Sequence, residues 1–122
     1  MLEKLLDLNR EVNFTIDGDA WRFQTMRPSE KFKRAQIIAR ILGNVPIESV
    51  TQDDYSRAFK IASLAVSYVE GPTVFVEKYH KDFSEIPDDD YIERLFQKLG
   101  EAELKFDEAK KKFRPTQGSE KA

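Results

Sequence analysis

Apolar residues near the C-terminus fall at Ile92, Leu95, Leu99, Ala102, Phe106, Ala109 and Phe113. The steps between them alternate three and four, the a/d pattern of a heptad held for three heptads. Between them sit Glu93, Arg94, Lys98, Glu101, Lys105, Glu108 and Lys112, so the opposite face belongs to water. The pattern predicts one helix over 88–113, roughly 37 Å long. That length outruns the body of a small domain and leaves two uses open for the seam. It packs on the chain's own helices, or it meets another protein or another copy.

Earlier positions alternate with period two. Val12, Phe14 and Ile16 interleave with Asn13, Thr15 and Asp17, and Trp21 and Phe23 continue the alternation beyond Asp17-Gly18-Asp19. Gly18 takes positive φ without steric cost, so 11–26 reads as a β-hairpin with one aromatic face. A lone hairpin is hardly stable in water, and that face must cover helices or join a sheet. Pro28 closes the second strand, and Ser29 reads as the N-cap of a helix over 29–42 that stops at Gly43. Thr51 followed by Asp54 resembles a capping box and opens a helix over 52–70, with Ala58, Ala62 and Ala65 small enough for close approach. Gly71-Pro72 ends it. Phe75, Tyr79 and Phe83 stand at i, i+4 and i+8 of a shorter helix over 73–83. Leu2, Leu5 and Leu6 give one or two marginal helical turns. Residues 114–122 hold Pro115, Gly118 and no large apolar side chain, and predict a disordered tail. The sum is an α+β fold, mostly α: one domain over 1–113, with one N-terminal β-hairpin packed on about four helices and a long C-terminal helix.

Composition narrows the function classes. The chain has 122 residues, room for one core. Charged residues make up 34% and the net charge is −2, which argues against a general nucleic-acid binder. Cysteine is absent, so neither a disulfide framework nor a thiolate metal site is available. No apolar run reaches the length of a membrane span, and Met1–Arg10 does not read as a signal peptide.

Candidate chemistry is sparse. Asp88, Asp89 and Asp90 lack the spacing, glycine and distal glutamate of a calcium loop, and they suit a helix N-terminus instead. His80 is the single histidine and has no neighbour at metal-ligand spacing. Lys31, Lys33, Arg34 and Arg40 make the helix over 29–42 basic, but with Phe32 alone among them it lacks the repeated interleaving of aromatics and glycines of a nucleic-acid strip. No nucleophile–base pair, paired carboxylates or phosphate-binding glycine loop stands out. The expectation is a non-enzymatic protein without cofactor or metal.

The order of elements carries a resemblance. The hairpin Val12-Asn-Phe-Thr-Ile-Asp-Gly-Asp-Ala-Trp-Arg-Phe23 leads to a Pro28-Ser29 helix start, a helix beginning Thr51-Gln-Asp-Asp-Tyr55, an aromatic segment and a charged last helix. This layout, over residues 11–113, resembles the small tail assembly chaperones of long-tailed bacteriophages and prophages. The resemblance implies a protein in the cytoplasm of the bacterial host, absent from the finished virion. It binds the tape-measure protein, keeps its apolar helices soluble and recruits tail-tube subunits. Members of that family are often extended by a programmed ribosomal frameshift near the C-terminus, for which Lys110-Lys111-Lys112 would suit a slippery adenine run. The residues themselves point to Trp21 and Phe23 on the hairpin, and to Leu99, Phe106 and Phe113 on the seam, as contacts for an apolar helical client. They also predict oligomerisation through the last helix. Two other readings stay open: a structural phage component such as a head–tail connector or baseplate protein, and a small DNA-binding or regulatory adaptor.

Overall fold

The computed structural model describes residues 1–113; the tail expected over 114–122 lies outside the described residues. The fold is α+β and mostly helical, with an antiparallel sheet near the N-terminus and a long C-terminal helix. A short helix α1 (Leu2–Leu6) buries no residue. Strands β1 (Glu11–Ile16) and β2 (Asp19–Gln24) follow, paired from Glu11↔Gln24 to Ile16↔Asp19. The two-residue turn holds Asp17 at φ 50° and Gly18 at φ 84°. Positive φ at both positions is the type I′ geometry whose twist matches the strands, and Asp and Gly are residues that tolerate it. Val12, Ile16, Trp21 and Phe23 are buried on one face, as the alternation requires.

The sheet has a third strand. The helix expected over 52–70 ends earlier: α3 runs Gln52–Ser67, and Tyr68–Glu70 forms β3 against the free edge of β2. Tyr68 and Val69 favour extended backbone, and Pro72 two residues on discourages helix. Pairing places Glu70 opposite Arg22, and the two side chains form an ion pair. Thr51 caps α3, its Oγ1 accepting the Asp54 N–H at 3.1 Å.

Helix α2 (Pro28–Ile41) begins one residue before the expected start. Ser29 is not its cap. Pro28 occupies the first helical position, where its fixed φ suits the turn and no N–H is needed, and Glu30 reaches back to accept the Arg27 N–H at 2.9 Å. Gly43 and Asn44, at φ 76° and 57°, end the helix. The helix expected over 73–83 is also shorter: α4 spans only Thr73–Glu77. His80 and Lys81 turn the chain left-handed at φ 54° and 60°, and Phe83–Glu85 forms a separate 3-10 turn. Phe75 and Phe83 still reach the same place, their ring centroids 4.6 Å apart. The interruption redirects the chain while keeping both rings inside.

Helix α5 (Asp89–Lys111) has 23 residues and a length of about 34 Å. Asp88 is its cap, accepting the Asp90 N–H at 3.0 Å. Its seam divides in two. Ile92, Leu95 and Leu99 are buried in the main core, while Ala102, Phe106, Ala109 and Phe113 are only half-buried.

The main core gathers Val12, Ile16, Trp21, Phe23, Leu64, Phe75, Phe83, Ile92, Leu95 and Leu99. Trp21 is its hub, with ring centroids of Phe75, Phe83 and Phe23 at 5.0, 5.8 and 5.9 Å. These separations lie in the range where aromatic pairs add to burial. A smaller cluster of Ile38, Ala58 and Ala62 seats α2 on α3, and the alanines permit the close approach. Among the described residues no helix is long and apolar enough to cross a membrane.

Candidate protein-binding surface

A groove of about 720 Å³ lies between the end of α2, the outer side of α3 and the segment that leads into α5. Its apolar lining comes from Ile41, Leu42, Ala58, Ile61, Phe83, Ile86 and Ile92. The local sequence explains this. Helix α2 continues its apolar stripe to Ile41 and Leu42, but α3 leaves Ile41 about half exposed at 48%. Phe83 and Ile86 come from the 3-10 turn, which brings the chain back over α3. The rim is charged: Asp54, Arg57, Lys60, Asp89, Asp90 and Glu93. Lys60 pairs with Glu93, and Arg57 lies 3.8 Å from Asp54. Asp89 and Asp90 make no ion pair among the described residues, so the rim near the start of α5 is negative. Further apolar side chains stand in solvent nearby in sequence: Phe32 at 75% exposure, Val45 and Ile47.

The contact residues expected from the sequence do not form this surface. Trp21, Phe23 and Leu99 are 3%, 0% and 2% exposed and belong to the main core. They meet one another there, and no client reaches them while the fold is closed. The hairpin's aromatic face is covered because it is the largest apolar surface the chain has to bury, and α3, α4 and α5 supply the cover. Phe106 and Phe113 lie apart and half-buried, Phe106 on the second half of α5 and Phe113 two residues past its end, since the helix expected over 88–113 stops at Lys111. Lys110 sits 5.1 Å from the Phe106 ring and Lys4 of α1 5.9 Å from the Phe113 ring. Lysines over ring faces screen them from water.

The residues of the groove were missed because their signal is weak. Ile41 and Leu42 read as an ordinary helix end, Phe83 as the last residue of a helix over 73–83, and Ile86 as loop.

The basic helix presents fewer free cations than its sequence implies. Lys31, Lys33 and Arg40 are exposed, but Arg34 lies over the Phe59 ring at 4.5 Å and donates weakly to Ser63 Oγ at 3.4 Å. Glu30, in the first turn of α2, is paired with Arg10 at 2.9 Å. His80 is exposed in its left-handed turn. Among the described residues no group of three His, Cys, Asp or Glu is close enough to hold a metal ion.

No family model matches the chain, and neither does any curated protein or solved structure. The site is therefore read from its own geometry.

Proposed function

We propose that this protein is a non-enzymatic assembly chaperone that binds apolar helices of a long helical client. The phage tail assembly chaperones that its layout resembles make the tape-measure protein the proposed client and tail-tube subunits the proposed later recruits. The observation that supports the reading is the groove: apolar along Ile41, Leu42, Ile61 and Ile86, and charged at the rim. An amphipathic helix lays its apolar face into such a groove and leaves its polar face to solvent. The charged rim and the outer face of α5 keep the complex soluble. Binding is reversible because the groove is preformed and no core residue has to leave its place.

The test is capture from cells that co-express the tagged protein with its neighbouring genes, read by mass spectrometry. The expected result is a long helical chain in the soluble fraction, with a tube-type subunit. Ile41→Glu, in the groove, abolishes that capture, whereas Leu104→Glu, 62% exposed on α5 and outside the groove, leaves it intact. Capture that survives Ile41→Glu, or that returns only portal, connector or baseplate proteins, overturns the proposal.

A further inference from the structure

A second cavity, of about 250 Å³, lies where β2, α4 and the start of α5 meet. It shares only Ile86 with the groove and stands independently of the client reading. Four aromatic side chains line it: Trp21 and Phe75, both buried in the core, close its floor, and the half-buried Tyr79 and Tyr91 are the rings open to it. Val74 and Asp88, both exposed, stand at its mouth. Its size suits one side chain rather than a whole small-molecule ligand, whose pockets run from about 300 Å³ upward.

The polar groups of this cavity carry one sign of charge. Asp19 and Asp88 are its charged residues, and no Lys, Arg or His among the described residues lines it. Arg94, one turn beyond Tyr91, is held by both oxygens of Asp17 at 2.8 Å, and Arg22, next to Trp21, pairs with Glu70. A fixed relay orients the carboxylate of Asp19. Trp21 Nε1 donates to the Tyr91 hydroxyl at 2.9 Å, and that hydroxyl donates to Asp19 Oδ2 at 2.8 Å. Asp19 Oδ1 accepts no hydrogen bond from the described residues. Asp88 spends Oδ1 on its helix cap. The result is a small aromatic chamber with one oriented, half-satisfied carboxylate.

Aromatic ring faces are negative and attract cations, most often guanidinium. A guanidinium is planar, weakly hydrated and forked, so it stacks on rings and pairs with a carboxylate at once. We propose that this cavity receives the guanidinium of an arginine presented by a partner protein, stacked on the half-buried rings of Tyr79 and Tyr91 and paired with Asp19. An ammonium fits less well, because its tighter hydration shell is lost on entering an apolar chamber.

Trp21 is the only tryptophan of the chain, so its fluorescence reports on this cavity directly. The full chain is titrated with the blocked tripeptide acetyl-Gly-Arg-Gly-amide, with the citrulline and lysine counterparts, with free arginine, and with sodium chloride as ionic-strength control. The expected result is a saturable change with the arginine peptide, with a Kd on the order of a millimolar for one side chain. The citrulline peptide binds at least about tenfold more weakly, having lost the charge. Free arginine binds more weakly than the peptide, because its own carboxylate faces Asp19 and Asp88. Asp19→Asn, which keeps an acceptor for Tyr91, removes the saturable change with unaltered circular dichroism; Asp88→Asn, which keeps the cap, weakens it less. No saturable change, equal binding of the citrulline or lysine peptide, or tighter binding of free arginine overturns the proposal. The peptide comparisons on the unaltered protein decide it even if a variant fails to fold.

Discussion

The indole N–H of Trp21 donates to the hydroxyl of Tyr91 at 2.9 Å, joining the second strand to the last helix across 70 residues of sequence. Trp21 is otherwise enclosed by Phe75, Phe83 and Phe23, and this hydroxyl is the partner its one donor finds. Tyr91→Phe keeps the ring and removes the acceptor. Leaving a buried donor unpaired costs about 1–3 kcal/mol. Urea unfolding of the two proteins should show that loss with an unchanged dependence on denaturant; equal midpoints would mean that water replaces the hydroxyl.

The same hydroxyl sets an alkaline limit. Burial of the phenolate is the main reason that the pKa of Tyr91 is pushed up from 10.0 to about 12; the carboxylates of Asp19 and Asp17 raise it further, while the Trp21 hydrogen bond acts the other way. The folded state therefore holds the phenol proton more tightly than the unfolded chain does. The resulting stabilisation is complete below pH 10, and it is lost as pH rises toward 12. Ultraviolet titration of tyrosinate absorbance should show a late-ionising residue that is missing from Tyr91→Phe.

At the acid end the sensitive pair is Asp17 and Arg94. Both oxygens of Asp17 accept from the guanidinium at 2.8 Å, which ties the hairpin turn to α5 and holds the Asp17 carboxyl below its ordinary 3.8. A lowered folded pKa stabilises the fold above the unfolded value, and the contribution disappears as pH falls below 3.8. The pair is exposed, so the effect is small and screened by salt. Thermal unfolding of Arg94→Gln and the native chain should differ at neutral pH in low salt and converge in acid. A gap that persists in acid would assign the difference to packing of the arginine stem.

Two glycines give opposite predictions for the same substitution. A Cβ on Gly71 would stand 2.8 Å from Trp21 Cζ3 and 2.9 Å from Cε3. The indole is locked in the core and cannot retreat, so Gly71→Ala costs about 1–3 kcal/mol as overpacking. Gly100 lies exposed in α5 with nothing within 4 Å of an added Cβ. Gly100→Ala removes backbone freedom from the unfolded chain and stabilises by about 0.5–1 kcal/mol. Denaturant midpoints that move in the same direction for both would refute this account.

The two halves of the α5 seam should separate by energy. Leu95 is fully buried, and Leu95→Ala costs about 2–5 kcal/mol. Ala102, Phe106 and Ala109 are half-buried, so Phe106→Ala costs less than Leu95→Ala in the isolated chain. Light scattering after size-exclusion chromatography tests whether another copy covers this half. A dimer that Phe106→Asp converts to monomer, with folding intact, would mean that the exposed half of the seam is an intermolecular contact.

Much of the architecture was legible along the chain because it is written in local periods. The two-residue alternation from Val12 to Phe23 with Asp17-Gly18 between, the cap at Thr51, and the heptad spacing from Ile92 onward each name their own element. The errors cluster where a non-local partner outbid local propensity. Tyr68–Glu70 left the helix because β2 had an unpaired edge, and the helix after Thr73 ended at Glu77 because Phe75 and Phe83 both had to reach Trp21. The site fared worse. Trp21, Phe23 and Leu99 were singled out as contacts for being large and apolar, the same property that buried them.

The sequence by itself determined the hairpin, the long amphipathic helix, the capped central helix and the charged outer surface, because each depends on residues a few positions apart. Only the tertiary structure decided which apolar faces are spent on the core. That choice depends on competition among all of them for a limited interior. The sheet, α3 and the first half of α5 filled it, and Ile41, Phe32 and the second half of α5 were left toward solvent. The groove and the aromatic chamber exist for the same reason. Each is the space between elements far apart in the chain, and no stretch of sequence contains it.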